Sequence, residues 1–283
     1  MRPGLEGLRP SVHLCGPGSP SAKADGRRAS APQPPLQCAA LCAPLPADQG
    51  WREALGAIAE LGIGAVELAA GWTEDPAEPA AVGELQAELV GLGIRVVLLD
   101  LPPAPPERAV RALEVARELG APYVLLPSVH LSAFGAEAMP GLLAGLAARA
   151  EEWGATVLLE NHPQGLATGE SLGRLLTQAN RRGLGACFDP AGFVALKRHP
   201  FLTEFMPGPL KQYVRCLRLR DALFEDGSEV SPDQGNAELK ELVSALEARG
   251  YDGWYALSPI GEGSYRQRLT AAHQAATRML EEL

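Results

Sequence analysis

The chain has 283 residues, a length that fits one large α/β barrel or two ordinary domains. Hydrophobic residues make up 46% and charged residues 21%, ordinary values for a globular protein in water. The net charge of −9, with no lysine or arginine run, argues against a nucleic-acid partner, and no run of about 18 apolar residues offers a membrane span.

Residues 1–36 stand apart. "GPGSPSAKADGRRASAPQPP" has too few apolar side chains to offset the entropy of ordering, so a disordered extension is expected, or upstream sequence read through from an early start codon. Its first stretch, "MRPGLEGLRPSVHLC", lacks the apolar core of a signal peptide, and a cytoplasmic location is expected. The five cysteines form no CxxC pair and no zinc spacing; Cys38, Cys42, Cys187 and Cys216 fall in strand-like runs and read as small apolar residues.

From residue 37 short apolar runs alternate with amphipathic segments, as in βα units around a parallel sheet. The runs are "LQCAALCA" (36–43), "AVELAA" (65–70), "RVVLLDL" (95–101) and "YVLLPSV" (123–129), then "TVLLENH" (156–162), "LGACFDP" (184–190), "VRCLRLRD" (214–221) and "WYALSP" (254–259). Between them lie helices such as "WREALGAIAEL", "PERAVRALEVARELG" and "NAELKELVSALEARG". Gly62, Gly120 and Gly250 stand where a helix end wants a left-handed residue, and Asn236 is the expected N-cap of the last of these helices. Eight such units in residues 37–283 predict a single-domain (β/α)₈ TIM barrel. A doubly wound sheet is the rival, but "CAPLPADQG" after the first strand is no glycine-rich phosphate turn.

Active sites of such barrels lie at the C-terminal strand ends. The polar residues closing the runs are Glu67, Asp100, Ser128, His130, Glu160, His162, Asp189, Arg218, Arg220, Asp221 and Ser258. Strand alternation puts Glu160 and His162 on one face and Arg218 with Arg220 on one face, opposite Leu217 and Leu219. Two carboxylates, an imidazole and two guanidinium groups are thus expected at one rim, more charge than an apolar barrel needs. Glu67 pairs with an interior arginine or serves the site; Asp221, on the leucine face, caps the loop "ALFEDGSEV". Trp51, Trp72 and Trp254 line a sugar site or, the simpler reading, pack in the core.

On these motifs the chain resembles the xylose-isomerase-like TIM barrels, which include sugar-phosphate isomerases/epimerases, inosose dehydratases and hydroxypyruvate isomerases. The resemblance covers residues 37–283 and is carried by "LGIGAVELAAGW", "LLENHPQG", "ACFDPAGFV", "LRLRDALFEDGSEV", "GNAELKELVSALEARGYDGW" and "YALSP". It implies one divalent metal on a Glu of strand 5, an Asp of strand 6, a His of strand 7 and a Glu of strand 8. The first two positions match Glu160 and Asp189; Arg218 stands at the histidine and Ser258 follows Leu257 where the glutamate belongs. Arginine stays protonated and cannot coordinate a cation, so Arg218 is expected to face Glu160 and Asp189 in place of the metal. Without the strand-8 carboxylate, two-base epimerisation gives way to one-base isomerisation or dehydration beside a carbonyl.

The resemblance and residues together imply an isomerase- or lyase-type enzyme on a small polyhydroxy or keto-sugar substrate. Glu160 is then the base, His162 its proton partner, Asp189 an orienting carboxylate and Arg218 an electrostatic stabiliser. Arg220, His130, Glu67 and Ser258 bind substrate. No cofactor is required, or a divalent Mn, Zn or Mg ion binds, with His130 and His162 rebuilding a shell around Glu160 and Asp189. Two further readings stay open: a barrel that lost catalysis and serves as a binding or partner subunit, and a metal enzyme with rearranged ligands. A homo-oligomer is compatible with each.

Overall fold

A computed structural model describes residues 41–47, 50–69, 71–74, 79–101, 106–133 and 139–283. The expected extension, residues 1–36, lies outside them.

The first half runs β1 (Leu41–Leu45), α1 (Trp51–Glu60), β2 (Ala65–Leu68), α2 (Gly71–Glu74), α3 (Pro79–Leu92), β3 (Arg95–Asp100), α4 (Pro106–Leu119), β4 (Tyr123–Pro127) and α5 (Met139–Glu152). The second half runs β5 (Thr156–Glu160), α6 (Gly169–Ala179), β6 (Leu184–Phe188), α7 (Pro190–Val194), β7 (Val214–Leu219), β8 (Asp221–Ala222), β9 (Glu229–Val230), α8 (Leu239–Glu247), β10 (Trp254–Leu257) and α9 (Tyr265–Glu281). Strands β1 to β7 pair with their sequence neighbours, β10 joins β7, and β10 returns to β1, closing a parallel eight-strand barrel. The two-residue strands β8 and β9 form a separate antiparallel ribbon after β7. The barrel fold is thus the one its sequence pattern predicts. The first strand, Leu41–Leu45, runs two residues past the expected 36–43, whose residues 36–40 lie outside the described ones, and the other seven end one or two residues before their apolar runs do.

Alternation along each strand builds two cores. Cys42, Ala65, Leu98, Leu125, Leu158, Cys187, Cys216 and Ala256 fill the lumen. Val66, Leu99, Val124, Leu159, Leu217 and Leu219 point outward, where they join the apolar stripes of the surrounding helices. Two residues on from the lumen layer, at the C-terminal strand ends, come Glu67, Asp100, Glu160 and Arg218, so the same period that buries the plug lifts the charges to the mouth.

Local chemistry sets the helix ends. Thr168 accepts from Ser171 N–H in a capping box at α6, and Ser264 with Gln267 does the same at α9. Gly62, Gly120 and Gly250 have φ of 72°, 69° and 72°, the left-handed conformation expected of them. Asn236 is not a cap. Helix α8 starts at Leu239 behind Glu238, and Asn236 Oδ1 instead accepts from Phe224 N–H at 2.7 Å, because a backbone donor in the neighbouring loop outcompetes the helix end. Trp51 and Trp72 pack edge to face with ring centres 5.6 Å apart, and Trp254 lies at the start of β10, the end away from the mouth, beneath Arg95. Core packing is therefore the tryptophans' role.

Candidate active site

Arg218 stands on β7 at the top of the lumen layer. Its Nη1 and Nη2 donate to Glu67 Oε2 and Oε1 at 2.6 and 2.7 Å, and its Nε donates to Glu160 Oε1 at 2.5 Å. One guanidinium thus joins β2, β7 and β5 across the barrel, with all three side chains at most 13% exposed. The expectation that Arg218 faces carboxylates is met by Glu160 and Glu67, whereas Asp189 belongs to the next arginine. Arg220 Nη1 donates to Asp189 Oδ2 at 2.5 Å and its Nη2 pairs with Glu229 on β9. The physical reason is reach: Arg220 follows the end of β7, and from there its side chain meets the residue that follows β6.

Each carboxylate has its own environment. Burial alone would raise Glu67, but the charge and hydrogen bonds of Arg218 outweigh it and hold the carboxyl below its usual range. Asp100, at the end of β3, touches Glu67; desolvation first and the Glu67 charge second push it well above the ordinary value. Asp189 is raised to about 6, chiefly by burial, with Arg220 working against the rise and the nearby Glu160 adding to it. Glu160 Oε1 also accepts from Cys187 Sγ at 3.6 Å, while its Oε2 makes no hydrogen bond among the described residues. Two buried oxygens at this mouth lack partners: Asp100 Oδ1 and Asp189 Oδ1.

Asp189 is held from behind. Asn161 donates from Nδ2 to Asp189 O at 2.7 Å and accepts Asp189 N–H at 2.8 Å, so one amide reads both sides of that residue's backbone. Below, Phe188 packs against Phe193 and Phe205 with ring centres 5.2 and 5.8 Å away, which seats α7 on the barrel. Burying each such ring contributes roughly 1.5–3 kcal/mol.

The remaining residues named from sequence are placed as follows. His162 Nδ1 accepts from Gln164 N–H at 3.1 Å, which leaves the proton of the neutral ring on Nε2. Ser258 is half-buried just past β10, two residues beyond Ala256, the register partner of Arg218. His130 lies in the short 3₁₀ turn Ser128–Ala133 after β4, and its side chain is outside the described residues. Ser128 is structural: its Oγ accepts from Leu166 N–H at 3.0 Å. Asp221 accepts from Ala222, Gly235 and Ala237 N–H, each at 2.8 Å, and so closes the loop between β8 and α8. Sequence reasoning gave no role to Asp100, Asn161 or Glu229, and read Cys187 as the small apolar residue it is in the lumen without its contact to Glu160. Asp100 carried the same signal as Glu160, an acid closing an apolar run. Glu229 was reachable through the Asp226–Gly227 turn, a hairpin signal that puts β9 beside β8.

A closed parallel barrel with carboxylates and guanidinium groups at its C-terminal mouth defines an α/β-barrel protein with a charged mouth. The chain belongs to the xylose isomerase-like TIM barrel family, whose sequence profile matches residues 55–283. Solved structures share the fold at low identity. A xylose isomerase domain protein from Planctomyces limnophilus is 17% identical with a TM-score of 0.66, covering 86% of this chain and 96% of that one. A D-tagatose 3-epimerase-like protein is 19% identical with a TM-score of 0.67, covering 85% and 97%. An IOLI protein with a bound zinc atom is 15% identical with a TM-score of 0.67, covering 86% and 98%. No curated protein sequence matches the chain.

A divalent cation does not fit these residues. The place between Glu67 and Glu160 is filled by a guanidinium that donates to both, and the oxygen Asp189 Oδ2 is taken by Arg220. Among the described residues no set of three or more His, Cys, Asp or Glu side chains is arranged to hold a metal ion.

Proposed function

We propose that this protein is a proton-transfer enzyme of the isomerase or dehydratase kind, acting on a small polyhydroxy or keto-sugar-like substrate with Arg218 in the place of a metal. The observation that supports this reading above the rest is Glu160: one oxygen is fixed by a buried guanidinium and the other is left open at the mouth. A base so held needs no reorganisation when it acts.

Glu160 Oε2 takes the C–H proton beside the substrate carbonyl. The C–H pair becomes the new C=C bond and the carbonyl π pair moves to oxygen, giving an enediolate. Arg218 and Arg220 supply fixed positive charge near that oxygen. In an isomerisation the proton returns to the neighbouring carbon; in a dehydration Glu160 hands the proton it has taken to the β-hydroxyl, which leaves as water while His162 Nε2–H hydrogen-bonds to it. Asp189 serves as the orienting carboxylate, and Ser258 follows β10 at the same end of the barrel.

One observation favours a second reading, a non-catalytic barrel that binds a ligand or partner: each arginine is already shared by two carboxylates, so the mouth is internally paired. Chelator-treated protein incubated in D₂O with a panel of ketoses and inososes separates the two. Deuterium appearing beside the carbonyl, lost in Glu160→Gln, is the expected result. Exchange that starts only after Mn²⁺ is added refutes the metal-free step, and no exchange under either condition leaves the binding barrel.

A further inference from the structure

The charges at the mouth do not balance, and the surplus names a ligand. Arg218 is shared by Glu67 and Glu160, and Arg220 by Asp189 and Glu229. Four carboxylates thus face two guanidinium groups. Each arginine leaves one carboxylate charge uncompensated, and the rim pair is the more accessible of the two groups: Arg220 is 29% and Glu229 38% exposed, against at most 13% around Arg218. A second, independent feature points the same way. Asp189 is 96% buried by its 4% exposure, yet its Oδ1 accepts no hydrogen bond. A buried acceptor without a donor costs about 1–3 kcal/mol, so the site asks for a group that donates.

These two features select against acceptor-rich anions. A phosphate or carboxylate brings more negative charge and no donor for Asp189 Oδ1. An ammonium brings three donors and one positive charge, and matches both deficits. The chain's net charge of −9 favours the same sign of ligand.

We infer that the mouth takes an amine-bearing polyol, its ammonium received by Asp189 Oδ1 and Glu229 at the rim beside Arg220. The ligand class rests on the mouth being the substrate site, as in the reading above, but not on turnover. Glu160 keeps Oε2 for the reacting carbon, so the two assignments use different oxygens.

Calorimetric titration tests it directly. The probes are D-glucosamine, D-mannosamine and D-galactosamine, each with its neutral parent sugar and the parent's 6-phosphate. At least one amine should bind about tenfold tighter than its parent, and the phosphate should be weakest. Glu229→Gln should cut amine affinity about tenfold and leave the parent unchanged, and 0.5 M salt should narrow the gap. Amines that fail to bind, or a phosphate that binds as well as the amine, overturn the inference. Because binding is read without turnover, an amine that binds but undergoes no exchange in D₂O counts against the proposed reaction alone. Metal-free exchange on a neutral ketose with no amine binding counts against the ligand class alone.

Discussion

Arg218 grips Glu67 with two parallel hydrogen bonds, 2.6 and 2.7 Å long, from β7 to β2 on the far side of the barrel. The fork of a guanidinium matches a carboxylate edge to edge, and lysine could not make the same bridge. Because Nε of the same group reaches Glu160, removing Arg218 would strand two poorly solvated carboxylates together.

Arg218→Met should therefore lower stability by about 3–5 kcal/mol, the cost of breaking a buried pair from one side. Replacing all three members, Arg218→Met with Glu67→Gln and Glu160→Gln, should recover most of that loss. Urea unfolding of the parent, the single variant and the triple variant checks it. A single variant as stable as the parent would mean that the bridge is not held in solution.

Asp100 predicts a pH dependence. Its folded value lies well above the ordinary 3.8, so the folded chain retains a proton that the unfolded chain releases once pH exceeds about 4. The stability this contributes is complete below that point and falls as pH rises. Asp189 acts in the same direction until about pH 6. Glu67, lowered, contributes oppositely and only at more acid pH, where its carboxylate is finally protonated. Asp100→Asn removes one titration, so its melting temperature should decline less steeply than the parent's between pH 4 and 8. Parallel curves would show that Asp100 is ionised in the fold.

The barrel was legible because burial on both faces writes long apolar runs, and the acids and arginines that close them interrupt the pattern. Glu160, Asp189, Arg218 and Arg220 were found that way. What the sequence could not supply was pairing. Whether Arg218 meets Asp189 or Glu67 depends on side-chain reach across a closed barrel, and on Arg220 lying one step beyond the strand end. Asn161 escaped for a related reason: alternation places it off the lumen face, and its contact with residue 189 exists only once β5 and β6 are in register. Asn236 misled because its short side chain serves a loop N–H as readily as a helix N-terminus.

Asp221 should prove structurally costly to change. Its carboxylate receives three backbone N–H groups at 2.8 Å and is 2% exposed. Asn at this position offers one acceptor oxygen and turns a donor toward a donor, so Asp221→Asn should cost about 2–3 kcal/mol. Gly235→Ala should also destabilise, since a Cβ there would stand 2.3 Å from Asp221 Oδ1 and 2.4 Å from Ala222 O. Thermal unfolding reads both; neutrality of both would show that the loop repacks freely.

The sharpest test returns to the residue at the centre of the mouth. If the Arg218 guanidinium supplies the positive charge that a metal would bring, wild-type protein should bind no stoichiometric Mn²⁺, and a chelator should leave its melting temperature unchanged. Arg218→His exchanges that cation for a neutral imidazole beside Glu67 and Glu160, two carboxylates now without a counter-charge. One nitrogen and two carboxylates form a set that suits Mn²⁺ or Zn²⁺, with water completing the shell. Measurable Mn²⁺ affinity should therefore appear in the variant, together with a rise in melting temperature on adding the metal, because binding to the folded state alone stabilises it. Isothermal titration of the two proteins decides the matter. Tight one-to-one binding by the wild type would mean that Arg218 leaves the carboxylates in solution and that they hold a cation instead.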